Sequence, residues 1–120
     1  MSSSIDTKTH KDLRVWQIAV ELVTKLYKIT ENYPRSEDFA LKSQIRRAAV
    51  SVPANIAEGA ARNSTKEFIQ FLYISLGSLS ELETLLIISE NLGFFKNEGI
   101  RLEMEGLKRM LIKLIRVLKD

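Results

Sequence analysis

Ile100, Met104, Leu107, Leu111, Leu114 and Leu118 recur at alternating spacings of four and three. Residues so spaced lie on one side of an α-helix, and the stripe they form is stable in water only when other helices cover it. The rest of the chain has no strand-type alternation to offer as a partner, but it supplies three more segments of helical period. The first runs from near Asp12 or Leu13 to about Asn32, where Pro34 forbids continuation. The second is expected from about Glu37 to Ala60, with Ser36 as N-cap and Glu37 and Asp38 in the first turn. The third starts at Ser64-Thr65-Lys66-Glu67, a capping-box sequence, and ends near Asn91, before Gly93. Asn97 is positioned to cap the fourth, and Phe94 and Phe95 in the connection are expected to plug the bundle end.

Four long helices with short connections predict an all-α, up-down-up-down antiparallel four-helix bundle. At 120 residues one domain accommodates them, spanning 12–120 behind a polar, flexible tail over 1–11. Pro53 falls inside helix two, where it removes a donor and crowds the carbonyl of Ala49 at a cost of about 3 kcal/mol. A kink or break is therefore expected near residues 49–53. Helix two has a narrow apolar seam of mostly small residues: Leu41, Ile45, Ala48, Val52, Ile56 and Gly59. Such a seam allows a neighbouring helix to come close; on helix three, Ser75, Gly77 and Ser78 are poor helix formers whose small size permits close approach of another helix. Helices one and three differ. Their apolar residues cover arcs of roughly 220°, about twice what one core requires, so further packing against a second copy is expected.

Two polar groupings are the candidate sites. Beside the helix-two seam runs the stripe Gln44, Arg47, Ser51, Asn55, Glu58 and Arg62, with Gly59 at its edge. It reads either as an architectural network within or between subunits or as a ligand-binding surface. On helix four, Arg101, Lys108, Arg109, Lys113, Arg116 and Lys119 fall within an arc of about 140°. That face reads as a nucleic-acid surface or as a solvated cationic face near a helix C-terminus. Lys42 and Arg46 on helix two, with Arg14, Lys25 and Lys28 on helix one, are candidates to extend it. Trp16, Tyr27, Phe68 and Phe71 at helical spacing read as core rather than base-stacking platforms, and Tyr73 is the one near-candidate for an exposed aromatic among basic residues.

Enzyme chemistry has little to stand on. The chain has no cysteine and one histidine, His10, without ligand neighbours in sequence. There is no glycine-rich phosphate loop, and Glu58 has no visible partner acid or base. The chain is expected to be non-enzymatic, without catalytic, metal or cofactor-binding residues and with no cofactor. Its longest apolar run in a helix, Leu85-Leu86-Ile87-Ile88, is far short of a membrane span, and no signal peptide is evident. A cytoplasmic protein with no membrane partner is expected. The net charge of +3 is too mild to dictate a nucleic-acid partner by itself.

Three segments together carry a family resemblance. They are Asp12-Leu13-Arg14-Val15-Trp16-Gln17-Ile18-Ala19, then Gln44 through Gly59 with its Asn55-Ile56-Ala57-Glu58-Gly59 core, then Arg62 with Phe68 and Ser80-Glu81. In order and spacing they resemble the four-helix-bundle proteins encoded in intervening sequences of bacterial 23S ribosomal RNA genes. The resemblance implies an antiparallel bundle assembled as a homo-oligomer, most often a ring-shaped pentamer. It also implies kinship with the accessory variability determinants of diversity-generating retroelements, which bind nucleic acid and a reverse transcriptase. The family name records where genes lie and does not by itself assign an RNA ligand. The expected partners are thus a second copy of the chain and RNA or DNA, bound with low sequence specificity. A protein-interaction scaffold without nucleic-acid activity is the alternative.

Overall fold

A computed structural model describes residues 9–96 and 98–120. A 3-10 turn at His10–Asp12 leads into α1 (Arg14–Thr30), and a second such turn at Arg35–Glu37 precedes α2 (Leu41–Ala60). Then come α3 (Thr65–Asn91) and α4 (Glu98–Lys119), with no strand among the described residues. Each helix packs on its neighbour in the chain, and α4 closes back on α1, giving a rod of 54 × 24 × 23 Å.

Named contacts tie three of these helix pairs together. Between α2 and α3, Gly59 lies against Phe68 and Phe71, the Val52 carbonyl meets Ser75, and Ser51 meets Ser78. Between α3 and α4, Tyr73 meets Lys119 and Glu90 meets Arg101. Between α1 and α4, Leu13 and Val15 share a hollow with Met110, Leu114 and Val117, while Lys25 pairs with Glu103.

The helix ends follow local chemistry, with two departures from expectation. Ser64 Oγ accepts the Glu67 N–H at 3.2 Å, as the capping sequence requires. The Glu67 carboxylate does not complete the box; it turns to Arg62 at 3.6 Å. Gly93 takes φ +80°, and the Phe94 N–H reaches the Ser89 carbonyl at 2.9 Å, closing α3 with a left-handed residue. Helix two, however, does not start at Glu37 behind a Ser36 cap. Pro34 and the 3-10 turn use those residues, and α2 begins at Leu41, whose N–H donates to Glu37 Oε1 at 3.2 Å. The Glu37 carboxylate does the capping. From Leu41 the helix is unbroken through Pro53. The proposed Asn97 cap and most of the expected tail, residues 1–8, lie outside the described residues. Residues 10–12 form a turn, with Gln17 Nε2 donating to the Lys11 carbonyl at 2.8 Å and His10 edge-on to Trp16 at 5.0 Å.

The core contains the whole α2 seam, Leu41, Ile45, Ala48, Val52, Ile56 and Gly59. On α4 the expected stripe holds for Ile100, Met104, Leu107 and Leu111, then passes to Ile115, leaving Leu114 and Leu118 half-buried. A strict four-three repeat drifts about 20° per heptad around a 3.6-residue helix, and by the third heptad that drift brings Ile115 inward. Phe95 is buried and Phe94 packs on Tyr33 at 5.7 Å, closing the bundle end.

The apolar surplus is concentrated on α3. Tyr73, Ile74, Ile87, Ile88 and Leu92 (the last just past the helix end) are all exposed, whereas on α1 Trp16, Ile18 and Val23 are half-buried and only Tyr27 is open. By length and composition α3 is long and apolar enough to cross a membrane. The count of consecutive apolar residues misses this because serine, threonine and glycine interrupt the runs. In this fold its inner ridge, including Leu72, Leu79, Leu82 and Leu86, is buried in the core, and core helices of soluble proteins pass the same test.

Candidate nucleic-acid interface

All six α4 cations are exposed, but they are not equivalent. Arg101 pairs with Glu90 of α3 at 3.3 Å. Lys119 donates to the Tyr73 hydroxyl at 2.8 Å, with Nζ 5.2 Å from the ring centroid. Lys108, Arg109, Lys113 and Arg116 make no ion pair with any described residue. Exposed Glu105 lies among them without binding any of them, and exposed Leu102, Ile112 and Val117 interrupt the face.

Four cations elsewhere, Lys25, Lys42, Arg46 and Arg62, are committed to ion pairs. Lys25 donates to Glu103 at 2.6 Å, and this hydrogen bond, with the charges of Glu103 and Glu21, outweighs desolvation and raises the lysine pKa above its ordinary 10.5. Arg46 ties α2 to the end of α1. Its Nε donates to Thr30 Oγ1 at 2.9 Å, one Nη donates to the Tyr27 carbonyl at 2.9 Å and reaches Glu31 at 3.4 Å, and the guanidinium lies 4.4 Å from the Tyr27 ring. Lys42 pairs with Asp38 at 3.5 Å. These residues therefore do not extend the α4 surface. Arg14 does, sharing with Lys113 a largely apolar hollow of about 350 Å³ between α1 and α4. Lys28 on α1 is exposed and makes no ion pair with any described residue.

The α2 polar stripe separates into three parts. Gln44 and Arg47 are exposed and do not join the others. Asn55 Nδ2 donates to the Ser51 carbonyl and to Ser51 Oγ, each at 2.9 Å, and Ser51 Oγ lies 2.8 Å from Ser78 Oγ on α3. Farther along, Arg62 donates to Glu58 at 2.9 Å, approaches Glu67 and covers the Phe71 ring at 4.9 Å. Gly59 sits between these groups, against Phe68 and Phe71. The stripe thus joins α2 to α3 within one chain. Ser75 adds a buried hydrogen bond to the Val52 carbonyl at 2.8 Å. Gly77, expected to permit close approach of another helix, instead faces open space.

Two features escaped sequence reasoning. A shallow hollow of about 240 Å³ between α3 and α4 is lined by Tyr73, Leu76, Ile112, Ile115, Arg116 and Lys119. On the turn before α2, Phe39 is 98% exposed, beside Val50, Arg46 and Arg47. Phe39 falls between two elements, where periodicity gives no orientation. Among the described residues no three His, Asp or Glu side chains gather to hold a metal ion.

The chain matches no curated protein. Among solved structures it is similar to a protein of unknown function from the S23 ribosomal protein family of Bacteroides thetaiotaomicron VPI-5482. The identity is 24% over 85% of this chain and 95% of that one, with a TM-score of 0.78, a likeness of fold. The family model described as 23S rRNA-intervening sequence protein matches residues 11–116. Those residues include every motif that carries the resemblance, and the chain belongs to that family.

Proposed function

We propose that this protein is a non-enzymatic, oligomeric bundle of up-down-up-down antiparallel topology, with α2 bent at Pro53, that binds RNA or DNA through the outer face of α4. One observation carries the reading: among the described residues Lys25, Lys42, Arg46, Arg62 and Arg101 are in ion pairs, and whereas other unpaired cations such as Lys28 and Arg47 are scattered over α1 and α2, Lys108, Arg109, Lys113 and Arg116 stand together on α4, exposed and without counter-ions. Unpaired cations in a row repel one another, and a polyanion relieves that repulsion while releasing its own counter-ions. No base-reading geometry accompanies them, so low sequence specificity is part of the proposal. A cytoplasmic location, a bacterial origin and the absence of a membrane partner belong to the same reading. Glu58 is held by Arg62, which favours an architectural role for it over acid-base catalysis.

The experiment is a salt series with RNA, single-stranded DNA and duplex DNA, with mass followed by light scattering. Four phosphate contacts give a log–log slope of about −3 for single strands and about −4 for duplex. The variant with Lys108, Arg109, Lys113 and Arg116 changed to Glu should keep its helicity and mass and lose binding. Unchanged affinity in that variant would refute the assignment.

A second reading rests on the outer side of α3, where Tyr73, Ile74, Ile87 and Ile88 are exposed. This favours packing against other copies, in a homo-oligomer that the family resemblance makes a pentamer. If no polyanion binds at any salt, this surface supports a protein-interaction scaffold instead.

A further inference from the structure

We propose that the hollow between α3 and α4 seats a nucleobase, so that the ligand of the α4 face is single-stranded nucleic acid. The inference rests on the nucleic-acid reading above and narrows it. Leu76 and Ile115 form an apolar floor, Ile112 and Tyr73 form walls, and Arg116 and Lys119 stand at the rim of about 240 Å³. An aromatic, apolar cavity edged by cations matches the two halves of a nucleotide, a flat base and an anionic phosphate. The Tyr73 side chain is 46% exposed, and its hydroxyl is fixed by Lys119 at 2.8 Å. A ring already held in place loses little freedom when a base stacks on it.

Of the free cations, Arg116 lines the hollow itself. Arg109 and Arg116 are seven residues apart, about two turns and roughly 10 Å along one side of α4, with Lys113 between them. A strand whose base enters the hollow would lay its following phosphates along that row. A duplex meets the same cations, but its bases are stacked and paired, and none is available to enter. The other exposed aromatics lack this combination. The Tyr27 ring is covered by Arg46, and of the cations lining the hollow beside Phe39, Lys42 and Arg46 are paired with Asp38 and Glu31, which leaves Arg47 alone there rather than a row.

The test compares three probes of equal length at one salt concentration: a single-stranded oligodeoxynucleotide, the same strand with abasic sites throughout, and its duplex. The wild-type protein should bind the base-bearing strand about tenfold more tightly than the abasic strand, the scale of one base–aromatic stack. Tyr73→Leu should erase that preference and leave abasic and duplex affinities and the salt slope unchanged. Tyr73→Phe should retain it, which separates stacking from loss of the hydroxyl. If Tyr73→Leu leaves the preference intact while charge reversal on α4 abolishes binding, the basic face binds polyanions and the base seat is refuted. If none of the probes binds, the nucleic-acid reading fails and the base seat with it. A changed oligomer mass in Tyr73→Leu, with binding preferences intact, would assign the hollow to a subunit contact and overturn the proposal.

Discussion

Gly59 offers the sharpest check on the packing. A Cβ at this position would lie 2.7 Å from Phe71 Cβ and 2.9 Å from Phe68 Cδ1. The Phe68 ring can rotate away, but Phe71 Cβ is fixed to the α3 backbone. Relief therefore requires the helices to part until that gap reaches the ordinary 3.4 Å or more. Overpacking of this kind costs about 1–3 kcal/mol, while replacing glycine by alanine inside a helix returns about 1 kcal/mol. Gly59→Ala should thus be destabilised by about 0–2 kcal/mol. Gly106→Ala supplies the reference, because a Cβ there meets nothing within 4 Å. It gains the helix-propensity term alone, about 0.5–1 kcal/mol. The difference between the two variants isolates the steric term at about 1–3 kcal/mol, on the order of 4 °C in thermal midpoint per kcal/mol for a chain this size. Urea and thermal unfolding at several protein concentrations measure it. If Gly59→Ala tracks Gly106→Ala within about 0.5 kcal/mol, the α2–α3 contact is not as close as described and the reasoning fails.

Three further outcomes follow from single side chains. Among the described residues the Tyr33 hydroxyl is buried without a hydrogen-bond partner, while neighbouring Ser89 donates to the Leu85 carbonyl. Tyr33→Phe should therefore leave stability unchanged or raise it by up to about 1 kcal/mol in urea unfolding; a clear loss would reveal a bond to that hydroxyl. Burial chiefly raises the Tyr33 pKa above its ordinary 10.0, and the hydrogen bond to Glu103 chiefly raises that of Lys25 above 10.5. Both contributions are complete below those ordinary values and are lost as pH rises through the higher folded-state values. Measured in the Tyr33→Phe background, the midpoint difference between Glu103 and Glu103→Gln should be flat from pH 7 to 9 and shrink above about pH 10.5. A difference unchanged to pH 12 would sink the pairing. Ser64→Ala, which removes the α3 cap, should cost about 1 kcal/mol, and Ser64→Asp should restore it in the same unfolding assay.

What could be read from the sequence was local. The Ser64 cap, the Gly93 terminator and the α2 seam depend on residues within a turn or two of one another, and the structure has all three. Ser36 misled because a 3-10 turn after Pro34 delays the helix, so the effective cap came from Glu37. The α4 stripe was legible until accumulated drift moved Leu114 outward and brought Ile115 in, near the end of the helix. The cationic cluster was visible on the helical wheel, but which of its members are free was not. That depends on carboxylates brought by other helices: Glu90 reaches Arg101, and Glu103 of α4 itself turns to Lys25. The Tyr73 hollow was invisible for the same reason, since α3 and α4 each supply part of its lining.

The α2–α3 pair has a consequence for the order of folding. These helices are adjacent in the chain, joined by the short connection 61–64, and share the bundle's closest contacts through Gly59, Ser51 and Ser75. Closing so short a loop costs little chain entropy, whereas the α1–α4 seam joins opposite ends of the sequence. The hairpin of α2 and α3 should therefore form the folding nucleus, with α1 and α4 docking later. Substitutions at Val52 or Ser75 would slow folding, and those at Val15 or Met110 would mainly speed unfolding. The residues that carry the family motif on α2 would then set the rate at which the bundle assembles as well as its final packing.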